Sequence, residues 1–157
     1  MNENVKKVAL AELYPVIKEK LDNGGNVKLP ITGTSMLPLL VQGRDFVLLK
    51  SCNNAKINDI IFYRRDNGQF VLHRIIGTDE NGYILCGDNQ WIKEYNIKDH
   101  HIIGVVTEIY RNGDTIKIDD KKYVKYYKRW LKLLPVRKPI IKLMSILRAI
   151  KRKMSSR

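Results

Sequence analysis

The chain has 157 residues, 44% of them hydrophobic, so it can bury one substantial core but is too short for two ordinary domains. Its formal net charge of +13 is unevenly distributed. Residues 121–157 contain nine Lys, five Arg and no acidic residue, whereas residues 1–120 sum to a charge of −1. The basic segment favours an anionic partner, either lipid headgroups or nucleic acid.

The cysteines and the apolar segments argue against a disulfide-bonded, secreted or membrane-spanning protein. Cys52 and Cys86 lie far apart without Cys-x-x-Cys spacing, so we interpret them as reduced core or loop residues. Acidic residues interrupt every apolar stretch near the N-terminus, which argues against a secretory signal, and no segment has the roughly 18 consecutive apolar residues of a membrane span. We therefore expect a cytoplasmic or peripherally membrane-associated protein.

Hydrophobic spacing predicts a helix followed by a β-rich body. Residues 4–22 have helical periodicity interrupted by Pro15, and an Asn-Gly-Gly sequence ends the pattern. Short strand-like runs follow at 27–31, 44–50, 58–64, 69–77, 83–87, 101–111 and 114–118. These runs predict a mainly β fold, either sandwich-like or a distorted barrel.

Two basic helical segments are predicted after the body, at 120–134 and 139–154. The first places four aromatic residues among Lys and Arg: Tyr123, Tyr126, Tyr127 and Trp130. The second has one apolar stripe: Ile140, Leu143, Met144, Leu147, Ile150 and Met154. This mixture suits a lipid interface, while a solvated helix face and nucleic acid binding remain alternatives.

The changes of pattern divide the chain into three parts. We predict an N-terminal helix over residues 1–25, a catalytic β domain over residues 26–119 and a basic amphipathic helical tail over residues 120–157. The charge asymmetry coincides with the second boundary. The tail is therefore expected to contact a partner, and the β domain to perform any chemistry.

Three short stretches combine residues that could form one hydrolytic site: Gly33-Thr34-Ser35-Met36-Leu37-Pro38, Leu72-His73-Arg74 and Gly87-Asp88-Asn89. A serine hydroxyl becomes a nucleophile only when a base removes its proton, and its attack needs N–H donors for the oxyanion. Gly and Pro around Ser35 favour a tight, exposed turn, and His73 lies in an apolar strand. Each residue also has a simpler interpretation, Ser35 as a turn residue and His73 as a core histidine.

The hairpin after His73 decides whether an acid can orient its imidazole. If residues 79–82 form a four-residue loop, Thr78 pairs with Tyr83, and His73 then lies opposite Asp88 with Cβ atoms about 5 Å apart. A two-residue Asn-Gly turn leaves Asp88 diagonal to His73 on the same face, whereas a three-residue loop puts them on opposite faces. We predict that Asp88 orients the imidazole.

Four sequence boxes, in their order and spacing, resemble those of type I signal peptidases and their relatives, a superfamily that includes SOS-type repressors. The boxes are Thr32-Gly33-Thr34-Ser35-Met36-Leu37-Pro38, Asn58-Asp59-Ile60-Ile61-Phe62, Leu72-His73-Arg74-Ile75-Ile76 and Gly87-Asp88-Asn89. The resemblance covers residues 27–110 and implies the distorted β-barrel or sandwich of that superfamily. No Lys lies between Lys56 and Lys93, so the chain is similar to the branch in which His rather than Lys is the base.

The resemblance implies a role for each site residue. Ser35 would be the nucleophile and His73 the base, and the acidic partner matches either Asp88 or Glu94. We prefer Asp88, because the hairpin pairing also reaches it, and keep Glu94 as an accessory candidate. Some relatives use a serine hydroxyl two residues before the nucleophile. This chain has glycine there, so the oxyanion hole would use the Ser35 N–H and the Thr34 side chain.

The expected function is that of a serine endopeptidase that cleaves a precursor or leader peptide beside small side chains, without a metal or cofactor. His100-His101 is not expected to bind a metal, because adjacent strand residues point to opposite faces. Two alternatives remain. One is a self-cleaving regulator, against which the absence of an Ala-Gly pair and of a recognised DNA-binding unit argues. The other is a catalytically silent module that binds peptides or tethers a partner at a membrane.

Overall fold

Eight antiparallel strands, preceded by one helix and followed by two, make up the described part of the chain. The computed structural model describes residues 3–155, with side chains from residue 10 onward except those of residues 152, 153 and 155. The elements are α1 (Glu3–Asp22), β1 (Val27–Pro30), β2 (Phe46–Lys50), β3 (Ile60–Arg64), β4 (Phe70–Asp79), β5 (Gly82–Cys86), β6 (Glu94–Ile97), β7 (Ile102–Arg111), β8 (Asp114–Lys117), α2 (Lys121–Lys132) and α3 (Arg137–Ser155). Two short 3-10 helices lie at Asp99–His101 and Leu134–Val136.

The strands form one open sheet rather than a closed barrel. Their order is β1-β2-β7-β3-β4-β5-β6, and β8 pairs with β7 outside this path. Every described pairing is antiparallel. The predicted mainly β fold with an N-terminal helix and a C-terminal helical tail is confirmed.

Each face of the sheet is buried in its own hydrophobic core, because successive strand residues point to opposite faces. The first core includes Ile17 and Leu21 of α1 together with Met36, Leu40, Val47, Ile60, Phe62 and Ile109. The second core contains Ala55, Ile61, Tyr63, Ile75, Leu85 and Ile97. The alternation in β4 places the neighbours His73 and Arg74 on opposite faces. Two consecutive residues of one strand therefore lie in two different environments.

The C-terminal helices begin in contact with the β body. The Asp120 carboxylate caps α2 by accepting hydrogen bonds from the N–H groups of Lys122 and Tyr123. The Tyr123 side chain is buried in the first core. α3 begins at Arg137, two residues earlier than predicted, which places Pro139 in its first turn. Among the described residues, no helix is both long and apolar enough to cross a membrane.

Candidate active site

Ser35 lies in a turn-rich loop between β1 and β2. Gly33 has a φ of +81°, a conformation that a side chain disfavours, and its N–H donates to the Gln42 side chain at 2.9 Å. Met36, directly after Ser35, is buried in the first core and anchors the loop. Ser35 itself is half-buried, whereas Thr34 is exposed. The glycine and the methionine together fix the loop while leaving its hydroxyl-bearing residues near the surface.

The Gly87-Asp88-Asn89 segment contacts the Ser35 loop and His73 at one point. The Asn89 N–H donates to the Ser35 carbonyl oxygen at 2.7 Å. A Cβ atom on Gly87 would lie 2.7 Å from the same oxygen and 3.1 Å from Nε2 of His73. No side chain larger than a hydrogen atom fits there without displacing one of them. The three stretches that the sequence singles out therefore meet in space.

The imidazole of His73 is oriented by residues of the second core. His73 is 3% exposed, and its Nδ1 lies 3.2 Å from the Tyr63 hydroxyl and 3.8 Å from Oε2 of Glu94. Because β3 pairs Ile61 with His73, Tyr63 is its diagonal neighbour on the same face. Nε2 is thus directed toward Gly87, and Nδ1 toward Tyr63 and Glu94. Among the described residues no hydrogen bond joins the Ser35 hydroxyl to His73, a common situation before a substrate binds.

Glu94 is held in place as an ionised carboxylate. It pairs with Leu85 at the start of β6, which directs its side chain toward the His73 face. Arg65, which follows β3, donates from Nε to Oε1 at 2.8 Å and from Nη2 to Oε2 at 2.5 Å. Such a two-point contact fixes both the position and the charge of a carboxylate. Glu94 therefore provides a fixed negative charge beside Nδ1 of His73.

Burial and charge set the protonation states of these groups. Burial lowers the pKa of His73 to about 4, against the smaller opposing effect of the Glu94 charge. Burial also raises the pKa of the Glu94 carboxyl, but the hydrogen bonds from Arg65 and the nearby Tyr63 hydroxyl outweigh it and leave this pKa below its ordinary value. At neutral pH the site contains a neutral imidazole next to an ionised carboxylate. This is the combination that a general base and its orienting acid require.

Asp88 does not lie opposite His73, so the predicted pairing of these two residues is wrong. Next to its turn the hairpin has the predicted register, in which Thr78 pairs with Tyr83. Ile76 is then an extra residue in β4, and beyond it Arg74 pairs with Cys86, one position earlier than an unbroken register requires. A shift of one residue moves a side chain to the other face of a sheet. The bulge therefore places Asp88 on the face of Arg74.

Asp88 forms a buried ion pair with Arg74. Nε and Nη2 of Arg74 donate to the two carboxylate oxygens of Asp88 at 3.0 and 2.9 Å, and both residues are 0% exposed. Nη1 of Arg74 also donates to the Asn58 carbonyl and the Tyr123 hydroxyl. The pair joins β4, α2 and the segment after β5. Its direct effect is to hold that segment in place.

The C-terminal helices also brace the same segment from outside. Nε1 of Trp130 donates to the Asp88 carbonyl at 2.7 Å. Arg137, which is 0% exposed, donates from Nη1 to the carbonyls of Gly87 and Gln90, both at 3.3 Å, and from Nη2 to that of Trp130 at 3.0 Å. The start of the basic tail is thus part of the support of the candidate site.

The sequence analysis missed Tyr63 and Arg65. Their signal was the Asn67-Gly68 dipeptide between two strand-like runs, which is typical of a hairpin. A hairpin centred there pairs the run that contains Tyr63 with the run that contains His73. The placement of the two residues also depends on the loop length: the observed loop has three residues, 66–68, and puts Tyr63 and Arg65 on the His73 side, whereas a two-residue Asn-Gly turn would put both on the other face.

His100 and His101 lie in a 3-10 helix rather than in a strand, so the expectation that they point to opposite faces is wrong. Their ring centroids are 4.0 Å apart, and with Asp66 they offer three ligand atoms within 4.8 Å of one another. The Lys98 N–H, however, donates to Nδ1 of His101 at 2.9 Å. Nε2 of a neutral His101 therefore carries the proton, which it donates to Asp66 at 2.9 Å. Since this nitrogen has no free lone pair for a metal, hydrogen bonding accounts for the cluster.

Comparison with known proteins bears on the family of the chain. The profile of the family described as Peptidase S24-like matches residues 3–107, which include the Ser35 loop, β3 to β6 and most of β7. No curated protein and no solved structure matches the chain significantly. The resemblance to the superfamily of signal peptidases and SOS-type repressors is confirmed. Since the matched region covers more than half of the chain and every strand and loop that converges on the candidate site, the chain belongs to the Peptidase S24-like family.

Proposed function

We propose that the protein is a serine endopeptidase in which Ser35 is the nucleophile and His73 is the general base. The observation that carries the proposal is the convergence of the Ser35 carbonyl and Nε2 of His73 on Gly87. This convergence supports the proposal, because the imidazole then lies beside the Ser35 loop. The low pKa of His73 leaves its imidazole neutral, and therefore able to accept a proton, at neutral pH.

Tyr63 and Glu94 select the tautomer of His73 in this proposal. Nε2 can accept the Ser35 proton only when the other ring nitrogen carries hydrogen. Nδ1–H would then donate to the Tyr63 hydroxyl, and this hydroxyl would donate to Glu94, with which it interacts. Arg65 holds Glu94, the last member of this series of hydrogen bonds, in place. Glu94 therefore takes the orienting role, while Asp88 supports the loop through Arg74.

The reaction steps follow from these positions. His73 takes the Ser35 proton as the oxygen attacks the scissile carbonyl, and the resulting imidazolium is stabilised by the Glu94 charge. The same proton then passes to the leaving amine, and a water molecule, activated by His73, releases the acyl group from Ser35. The Ser35 N–H and the exposed Thr34 side chain are the candidates for oxyanion donors. These steps require no metal and no cofactor.

The proposed substrate is a precursor or leader peptide that binds in an extended conformation. The family resemblance implies that this substrate has small side chains beside the cleaved bond. An extended peptide can gain main-chain hydrogen bonds at a sheet edge. The sheet ends at β1 and β6, and β6 contains Glu94, so its edge is the one nearer to the orienting acid.

A survey of new protein N-termini in the native host tests the proposal. Wild type is compared with Ser35→Ala and His73→Ala at equal expression, and the exposed Ser51→Ala is the matched control. We expect a set of termini to disappear in both site variants and to persist in the control. With a purified substrate, either variant should lose on the order of 10⁶-fold in kcat.

The outcome also separates the alternative functions. Persistence of every terminus in Ser35→Ala would contradict a peptidase and favour the silent binding module. Cleavage confined to this chain itself, detected by intact mass and absent in Ser35→Ala, would favour the self-cleaving regulator. Cleavage of other chains at a rate proportional to enzyme concentration would support the proposed endopeptidase.

A further inference from the structure

We propose that α3 binds the surface of an anionic phospholipid bilayer, lying in the plane of the interface. The proposal concerns a surface outside the family match, which ends at residue 107, and it does not depend on peptidase activity. It starts from large apolar side chains that the fold leaves exposed on this helix. The rest of the fold gives them no partner among the described residues.

The exposed apolar side chains of α3 form one narrow stripe. Its members, which we call the α3 stripe, are Leu143, Ile146, Leu147, Ile150 and Met154. They are between 49% and 74% exposed. With 3.6 residues per turn they fall within an arc of roughly 100°, the width of an amphipathic face. A soluble helix normally directs such a face toward its own core, whereas this one directs it outward.

The opposite side of α3 is the one that packs against the protein. Ile141 is 7% exposed and Arg137 is 0% exposed, and both lie about a third to half of a helical turn away from the centre of the stripe. The helix is therefore already seated on the body through another face. The stripe is left for a partner that can cover an apolar strip about three turns long.

The charges around the stripe favour lipid over the other occupants. Lys142 and Lys151 are exposed on either side of it, where a lysine stem can lie along apolar surface while its ammonium group reaches the headgroups. Residues 121–157 contain no acidic residue. A second copy of the chain would bring like charges together, and nucleic acid would leave the apolar stripe uncovered. An anionic bilayer would bury the apolar stripe and also attract the basic side chains to its headgroups.

Binding through α3 would also position the candidate active site. Arg137, at the start of α3, donates to the carbonyls of Gly87 and Gln90. A bilayer that holds α3 would therefore hold the Ser35 and His73 region close to its surface. This arrangement would favour peptide substrates that are themselves at the membrane.

Vesicle flotation of the full-length protein tests the proposal. Vesicles of phosphatidylcholine alone are compared with vesicles in which about one third of the lipid is phosphatidylserine, a composition that strengthens the attraction of basic segments. The stripe variant is Leu143→Ser/Leu147→Ser/Ile150→Ser. The matched control is Leu13→Ser/Val16→Ser/Ile92→Ser, which removes equally exposed apolar side chains elsewhere. Circular dichroism and urea midpoints establish that each variant is folded.

We expect wild type to bind the anionic vesicles at least about tenfold more tightly than the neutral ones, and the stripe variant to lose at least about tenfold of that affinity. The control should stay within about twofold of wild type, and salt near 0.5 M should weaken binding because it screens the charges.

Four results would overturn the proposal. The first is a wild type that floats with neither vesicle, and the second is a folded stripe variant that binds as tightly as wild type. The third is a wild-type dimer in sedimentation that the stripe substitutions convert to a monomer, which would assign the stripe to a second copy. Tight oligonucleotide binding without vesicle binding would instead assign the charges to nucleic acid.

Discussion

Replacing Asp88 with Asn tests whether this carboxylate stabilises the fold or takes part in catalysis. The change preserves the shape of the side chain but leaves the fully buried Arg74 guanidinium without a counter-charge. Removing one partner of a buried ion pair costs about 3–5 kcal/mol in free energy of unfolding. With a urea m-value of about 2 kcal/mol/M, the unfolding midpoint should fall by about 2 M. Asp22→Asn makes the same chemical change in the exposed pair with Lys18, where we expect a loss below about 1 kcal/mol.

The assay is equilibrium urea unfolding at pH 7, followed by tryptophan fluorescence and circular dichroism. The double variant Arg74→Met/Asp88→Leu should recover part of the lost stability, because it removes both charges and leaves no unpaired charge in the core. A folded Asp88→Asn protein with the midpoint of wild type would refute this reasoning. If the same protein had also lost cleavage, Asp88 would return to the catalytic role that the sequence favoured.

Three further predictions concern the site itself. The value of kcat/KM should fall at low pH with a midpoint near 4, because only the neutral form of His73 accepts a proton; a midpoint near 6.5 would contradict the burial argument. Tyr63→Phe should lower kcat by about 10²-fold or more with little change in KM, because the Nδ1 partner is lost, and a kcat within threefold of wild type would exclude the orienting chain. Gly87→Ala should abolish cleavage, since its Cβ would lie 2.7 Å from the Ser35 carbonyl oxygen. Gly77→Ala is the control and should remain active, because its Cβ meets only ordinary contacts. Equal activity of the two variants would show that the close contact at Gly87 is not required.

Ser35 and His73 could be singled out as candidates from the sequence because their signals are local. The Ser35 turn depends on neighbouring residues in the sequence, among them Gly33 with its positive φ. His73 lies in an apolar run whose strand character follows from its own composition. The order of helix, strands and basic helices followed from periodicity for the same reason.

Which of the two candidate acids lies beside His73 could not be predicted in the same way. One bulged residue, Ile76, reverses the face on which Asp88 lies, and the composition of β4 gives no sign of it. Glu94 reaches His73 only because β6 pairs with β5. The buried role of Arg137 was equally hidden, because in the sequence it is one of many basic residues in the tail.

The sequence by itself determined the class of fold, the two central catalytic candidates and the charge of the tail, since all of these depend on residue type and short-range spacing. Only the tertiary structure decided that Glu94 and Tyr63 orient toward His73, that Asp88 pairs with Arg74, and that the tail supports the Gly87 segment. Those outcomes depend on strand register and on which side chains lose contact with water, and both are set by contacts between residues far apart in the chain.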